Sequence, residues 1–156
     1  MSSSQLRERI AAIRAEASAL GVELAAQGAS MDPGELFEVT GELQGVANAV
    51  EGAQLVAIAH AGCHETRLTE RGPVAVHHQV GFVDAMTSTE VSLATGVGQW
   101  AAGRKVALAA NLAGKFPQLL AKVVTGELAT VNAGKVIAAC DGLDARRAVP
   151  APLARD

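Results

Sequence analysis

The sequence predicts an all-α protein: an N-terminal acidic helical hairpin followed by a helix-turn-helix-like bundle of short helices. Three observations predict it. Apolar residues recur in alternating steps of three and four over most of the chain, which lines one face of a helix. The apolar half of the composition is mostly Ala, Val and Leu, with three Phe, one Trp and no Tyr, which suits closely packed helices better than aromatic-filled sheets. Helix-start chemistry precedes the periodic runs, and Gly or Pro follows them.

The first helix starts in the serine run, where Ser2 and Gln5 have the spacing of a capping box. Leu6, Ile10, Ile13, Ala17 and Leu20 then step by four and three, and the helix ends at Gly21 or Gly28. Asp32-Pro33-Gly34-Glu35 starts the second, with Asp32 as cap, Pro33 in the first turn and Glu35 reaching back. The stripe continues through Leu36, Val39, Leu43, Val46, Val50, Ala53, Ala57, His60 and His64, predicting a helix to near Arg67. Thr69–Gly81 loses the helical period, leaving room for a short extended segment. A capped helix then runs from about Ser88, with Thr87 and Glu90 as capping residues. Gln99–Ala113, Pro117–Thr125 and Thr130–Cys140 follow, closed by Gly114, Gly126 and Gly142. The division expected is a long antiparallel helical arm over 1–72, the bundle over 73–142 and a flexible tail over 143–156.

The 156 residues suffice for one domain, or for an arm plus a small domain. No apolar run approaches the roughly 18 residues of a membrane span, and MSSSQLRERI lacks the layout of a secretion signal. A cytoplasmic protein with no membrane partner is expected. Cys63 and Cys140 form no CxxC pair and read as buried thiols. The net charge of −3 is unevenly spread. Residues 1–90 hold five Lys/Arg against twelve Asp/Glu, residues 91–140 five against one, and residues 141–156 three of each.

The basic stretch coincides with two helices joined by Gly96-Val97-Gly98, the order of a helix-turn-helix reader of DNA. That motif needs positive φ at the turn glycine and small or aliphatic residues at the buried positions after it. Gly96, Val97, Ala102 and Val106 meet those needs. Gln99, Trp100, Gly103 and Arg104 then face the groove. Gln pairs an adenine edge, Arg pairs guanine or a phosphate, and Gly103 admits close backbone approach. Lys105, Lys115 and Lys122 are assigned to phosphates. The alternative is a helical hairpin in which Trp100 packs against the acidic arm and Arg104 pairs with one of its glutamates.

Other chemistry is weakly represented. His60, Cys63, His64, His77 and His78 place five metal-type donors within nineteen residues. His60 and His64 stand one helical turn apart, but both fall on the apolar stripe, so packing histidines are expected and no metal is assigned. No nucleophile–base set and no phosphate loop is found. No catalytic residue and no cofactor is assigned, and the chain is read as leaning away from an enzyme.

Taken together, Glu90-Val91, Leu93-Ala94, the turn, Ala102, Val106 to Ala109, Pro117, Gly126-Glu127-Leu128 and Ala133 resemble a known family. It is the domain of unknown function found ahead of HNH endonuclease domains in high-GC Gram-positive bacteria. The likeness covers roughly residues 35–140. The same segment is similar, more distantly, to the helix-turn-helix of chromosome-partition proteins, with Ser92 on that motif's small position and Gly96 on its turn glycine. Ala107–Phe116 is a few residues longer than the partition proteins have. The HNH metal site, with its clustered His, Asn and Cys pairs, is absent, so the chain reads as a front domain without the nuclease part. The resemblance implies a non-catalytic DNA-targeting module whose partner is duplex DNA. The competing expectation is a helical protein-protein interaction module, with a homodimer formed through the N-terminal helices.

Overall fold

The chain begins with a helix whose start is fixed by its first side chains. In the computed structural model, which describes the backbone of residues 2–147 and side chains through Gly142, helix α1 is Ser3–Gln27. The Ser2 hydroxyl accepts from the Gln5 amide at 3.2 Å, and the Ser2 amide donates to Gln5 Oε1 at 2.7 Å. The capping box expected from the sequence is formed; such caps contribute about 1 kcal/mol. A 3₁₀ turn, Gly28–Ser30, leads to helix α2, Pro33–Gly62. There Gly34 donates to Asp32 Oδ2 at 2.7 Å, and Asp32 donates to Glu35 Oε2 at 3.2 Å.

Helix α2 stops at Gly62, short of the Arg67 expected. His64–Thr69 forms strand β1 and Gly72–His77 strand β2, paired antiparallel from His64↔His77 to Thr69↔Gly72. The helical step through His60 and His64 is thus broken. His60 is exposed on the helix, whereas His64 sits on a strand beside His77, ring centroids 4.6 Å apart. An isolated hairpin is marginal, and this one is tied at its base. His78 donates its amide to the Cys63 carbonyl at 2.8 Å, and Asp84 to the Gly62 carbonyl at 3.1 Å. Cys63 is fully buried, its thiol directed at the Ala59 carbonyl at 3.1 Å. Both cysteines are free.

Helices α3 (Thr87–Thr95), α4 (Gln99–Lys115), α5 (Pro117–Val124) and α6 (Thr130–Arg147) complete the chain. Thr87 does not cap α3. It is buried, and Met86 is the cap residue, its amide donating to Asp84 Oδ2 at 2.9 Å. Helix α4 runs two residues past Ala113, and α6 continues through Gly142 to Arg147. The assigned tail therefore starts as helix, and from residue 148 it lies outside the described residues.

The core draws Leu55, Ile58 and Ala59 from α2, Val91 from α3, and Ala102, Val106, Ala109 and Leu112 from α4. Val123 of α5 and Ala133 and Ile137 of α6 complete it. Buried alanines at four of these positions let helix backbones approach closely. The chain divides into compact units at Leu43/Gln44 rather than at 72/73. The reason is burial: Leu55, Ile58 and Ala59 belong to the bundle's core, so the second half of α2 belongs with them. In the first unit, α1 buries none of its residues. No helix among the described residues is long and apolar enough to cross a membrane.

Candidate nucleic-acid interface

Gly96 closes α3 in the left-handed conformation, φ +72°, where a Cβ is disfavoured by about 1–2 kcal/mol. Its amide donates to the Ser92 carbonyl at 2.9 Å. The Ser92 hydroxyl in turn donates to the Val97 carbonyl at 2.7 Å, latching the three-residue turn. The sequence marked Ser92 only as a small residue. Val97 packs on the core, Ala102 is fully buried and Val106 nearly so. Two of the three positions expected to be inside are buried, and Val97 is partly so.

Burial at Ala102, Val106, Ala109 and Leu112 turns the opposite face of α4 outward. Trp100 is 74% exposed, and the Arg104 guanidinium lies 4.9 Å from its ring centroid. A cation over an exposed ring contributes about 0.5–1 kcal/mol, enough to bias both side chains toward one surface. Among the described residues Arg104 has no carboxylate partner. Gly103 has open space where a side chain would stand. Trp100 is thus no core residue, and no described glutamate takes Arg104. Gln99 is exposed, and its Nε2 donates to Ser88 Oγ at 3.0 Å and Thr89 Oγ1 at 3.2 Å. It therefore joins the starts of α3 and α4, and reading a base would require releasing them.

Two of the three assigned lysines are taken up by neighbouring carboxylates, in different ways. Lys105 turns inward. Its Nζ reaches Gln54 Oε1 at 2.6 Å and lies 3.8 Å from Glu51 Oε1, with a quarter of the side chain exposed. One residue along a helix is a rotation of about 100°, which carries Lys105 from Arg104's surface toward α2 and gives it protein partners there. Lys122 is exposed but sits 3.4 Å from Glu127 Oε2. The Glu127 carboxyl is held below its ordinary range by Thr125 first and Lys122 second. Lys115 is exposed in the last turn of α4.

Sequence reasoning missed Gln54 and Glu51, which lie more than fifty positions before Lys105, and no local signal points to them. It also missed Asn111, one turn beyond Ala107 on α4, whose side chain donates to the Ala107 carbonyl at 3.0 Å. The first turn of α4 carries no acidic residue and no side-chain cap, so its amides meet solvent at the open Gly98. A bundle with a latched turn and an outward aromatic–arginine pair is the class of protein that fold and site define. No family model, no curated protein and no solved structure matches the chain.

Proposed function

We propose that α3, the Gly96 turn and α4 form a non-catalytic DNA-binding module with α4 as the helix offered to the duplex. The observation that carries this reading is the pairing of Trp100 and Arg104, exposed and uncompensated by any described carboxylate, beside the open backbone of Gly103. Arg104 would take a guanine edge or a phosphate, and the uncapped amides at the start of α4 would take a neighbouring phosphate. Lys115 extends the basic line along the helix. Resemblance to the domain preceding HNH endonucleases supports a targeting role within a nuclease-related protein, with cutting assigned elsewhere.

The withdrawal of Lys105 and the pairing of Lys122 limit the affinity. With Arg104 and Lys115 as phosphate contacts, log K should fall with log salt at a slope of about −2, and the dissociation constant should lie near 10⁻⁴–10⁻⁶ M. A gel shift on duplex DNA at several salt concentrations tests the reading. Arg104→Glu should abolish a salt-sensitive shift, and an unchanged shift would reject the assigned face. A second reading, docking on another protein, is favoured by the exposed Leu93 and Trp100 at 81% and 74%. It predicts no shift at any salt concentration.

A further inference from the structure

We propose that α1 is one strand of an antiparallel two-stranded coiled coil formed with α1 of a second copy of this chain. This inference is independent of DNA binding, since it concerns the other compact unit. Leu6, Ile10, Ile13, Ala17, Leu20 and Leu24 follow strict four-three spacing over 19 residues of α1. A seven-residue period held that long is the mark of a helix packed along a seam, because an unpaired helix drifts off it at 3.6 residues per turn. Yet the seam is open. Leu6, Ile10, Ile13 and Leu20 are 47, 51, 51 and 40% exposed, and α1 has no buried residue.

Charge identifies the occupant. The first half of α1 carries Arg7, Glu8, Arg9 and Arg14, and the second half only Glu16 and Glu23. The basic end is therefore N-terminal and the acidic end C-terminal, against the preference of the helix's own dipole. An antiparallel copy lays acidic end on basic end at both ends of the pair, offsetting both defects. The seam then meets in layers of Leu6 with Leu24, Ile10 with Leu20 and Ile13 with Ala17, each across the two copies. Arg9 faces Glu23 twice; only the central Arg14 and Glu16 meet their own kind. The parallel alignment instead sets Arg9 against Arg14 twice and gives no attractive pair. Closure onto the start of α2 is disfavoured too, since an antiparallel hairpin would bring Glu16 and Glu23 beside Glu35, Glu38 and Glu42.

Sedimentation equilibrium of the whole chain should show a reversible monomer–dimer equilibrium. Ile10→Glu with Ile13→Glu should remove the dimer while leaving the melting of the bundle unchanged. Charge exchange keeps the seam intact: Arg7→Glu/Arg9→Glu/Arg14→Glu and Glu16→Lys/Glu23→Lys chains should each be weakened alone and pair with each other. For orientation, Leu6→Cys and Leu24→Cys chains are mixed in a Cys140→Ser background. Cross-linking of residue 6 to residue 24 should outrun both like-with-like cross-links. A wild-type chain that stays monomeric at every concentration overturns the proposal, and so does faster like-with-like cross-linking.

Discussion

The Thr130 hydroxyl donates to Glu51 Oε2 at 2.6 Å, joining the start of α6 to the middle of α2 across 79 residues of sequence. The other oxygen of the same carboxylate lies 3.8 Å from Lys105 Nζ. Glu51 thus ties three helices at the edge of the core, and its position explains why Lys105 is not offered outward with Arg104. The side chains are partly buried, so the hydrogen bond to a charged acceptor should contribute about 1.5–3 kcal/mol. Thr130→Val should lower stability by about that amount, read from urea or thermal unfolding. A change below a few tenths of a kcal/mol would mean that Glu51 is satisfied equally well by water.

Arg104 and Lys105 should separate in any DNA assay. Arg104→Ala is expected to weaken a duplex shift with the melting temperature nearly constant, because its only described contact is an exposed ring. Lys105→Ala is expected to lower the melting temperature and leave the shift of the folded fraction largely unchanged. Equal losses of binding from both would show that Lys105 leaves Glu51 when DNA arrives.

Two left-handed glycines should respond differently to alanine. Gly96, φ +72°, has nothing within 4 Å of a Cβ, so Gly96→Ala should cost only the conformational term of about 1–2 kcal/mol. Gly126, φ +83°, would place its Cβ 2.5 Å from the Gly45 carbonyl oxygen. Gly126→Ala must also push α2 away from the α5–α6 turn, and should be the more damaging of the two in thermal unfolding. The reverse order would displace Gly126 from its role as the close contact.

The hairpin should be acid-sensitive. Glu65 is held below the usual carboxylate range, first by the hydrogen bond from Arg67 and then by the one with His78, whose ring stacks on Phe82 with centroids 3.7 Å apart. A carboxylate lowered by folding stabilises above its unfolded pKa, and that contribution is lost as pH falls through the lower folded value. Amide signals of residues 64–78 should therefore shift together as pH drops below the ordinary glutamate range. In Glu65→Gln that transition should vanish, and its persistence would assign the acid response elsewhere.

Much of the helical layout was legible because it is written locally. The Ser2–Gln5 and Asp32–Glu35 caps, the Gly96 turn and Pro117 at the start of α5 each depend on neighbours within a few positions. The hairpin was less legible. Its strands are short and mostly exposed, with Thr66 and Leu68 on one face and Val74 and Val76 on the other, and histidines that extend the stripe of α2 precede them. The helix ends where the Gly62 and Cys63 carbonyls accept from Asp84 and His78.

By itself, then, the amino-acid order determined where helices begin, which of their faces are apolar and that a glycine elbow separates α3 from α4. Those properties follow from backbone conformation and spacing over one or two turns. Which cations remain available was decided only by the tertiary fold. Lys105 and Arg104 are adjacent and equally charged, and nothing local distinguishes them. The approach of α2, with Gln54 and Glu51 placed by the burial of Leu55 and Ile58, gives one of them a partner and leaves the other at the surface.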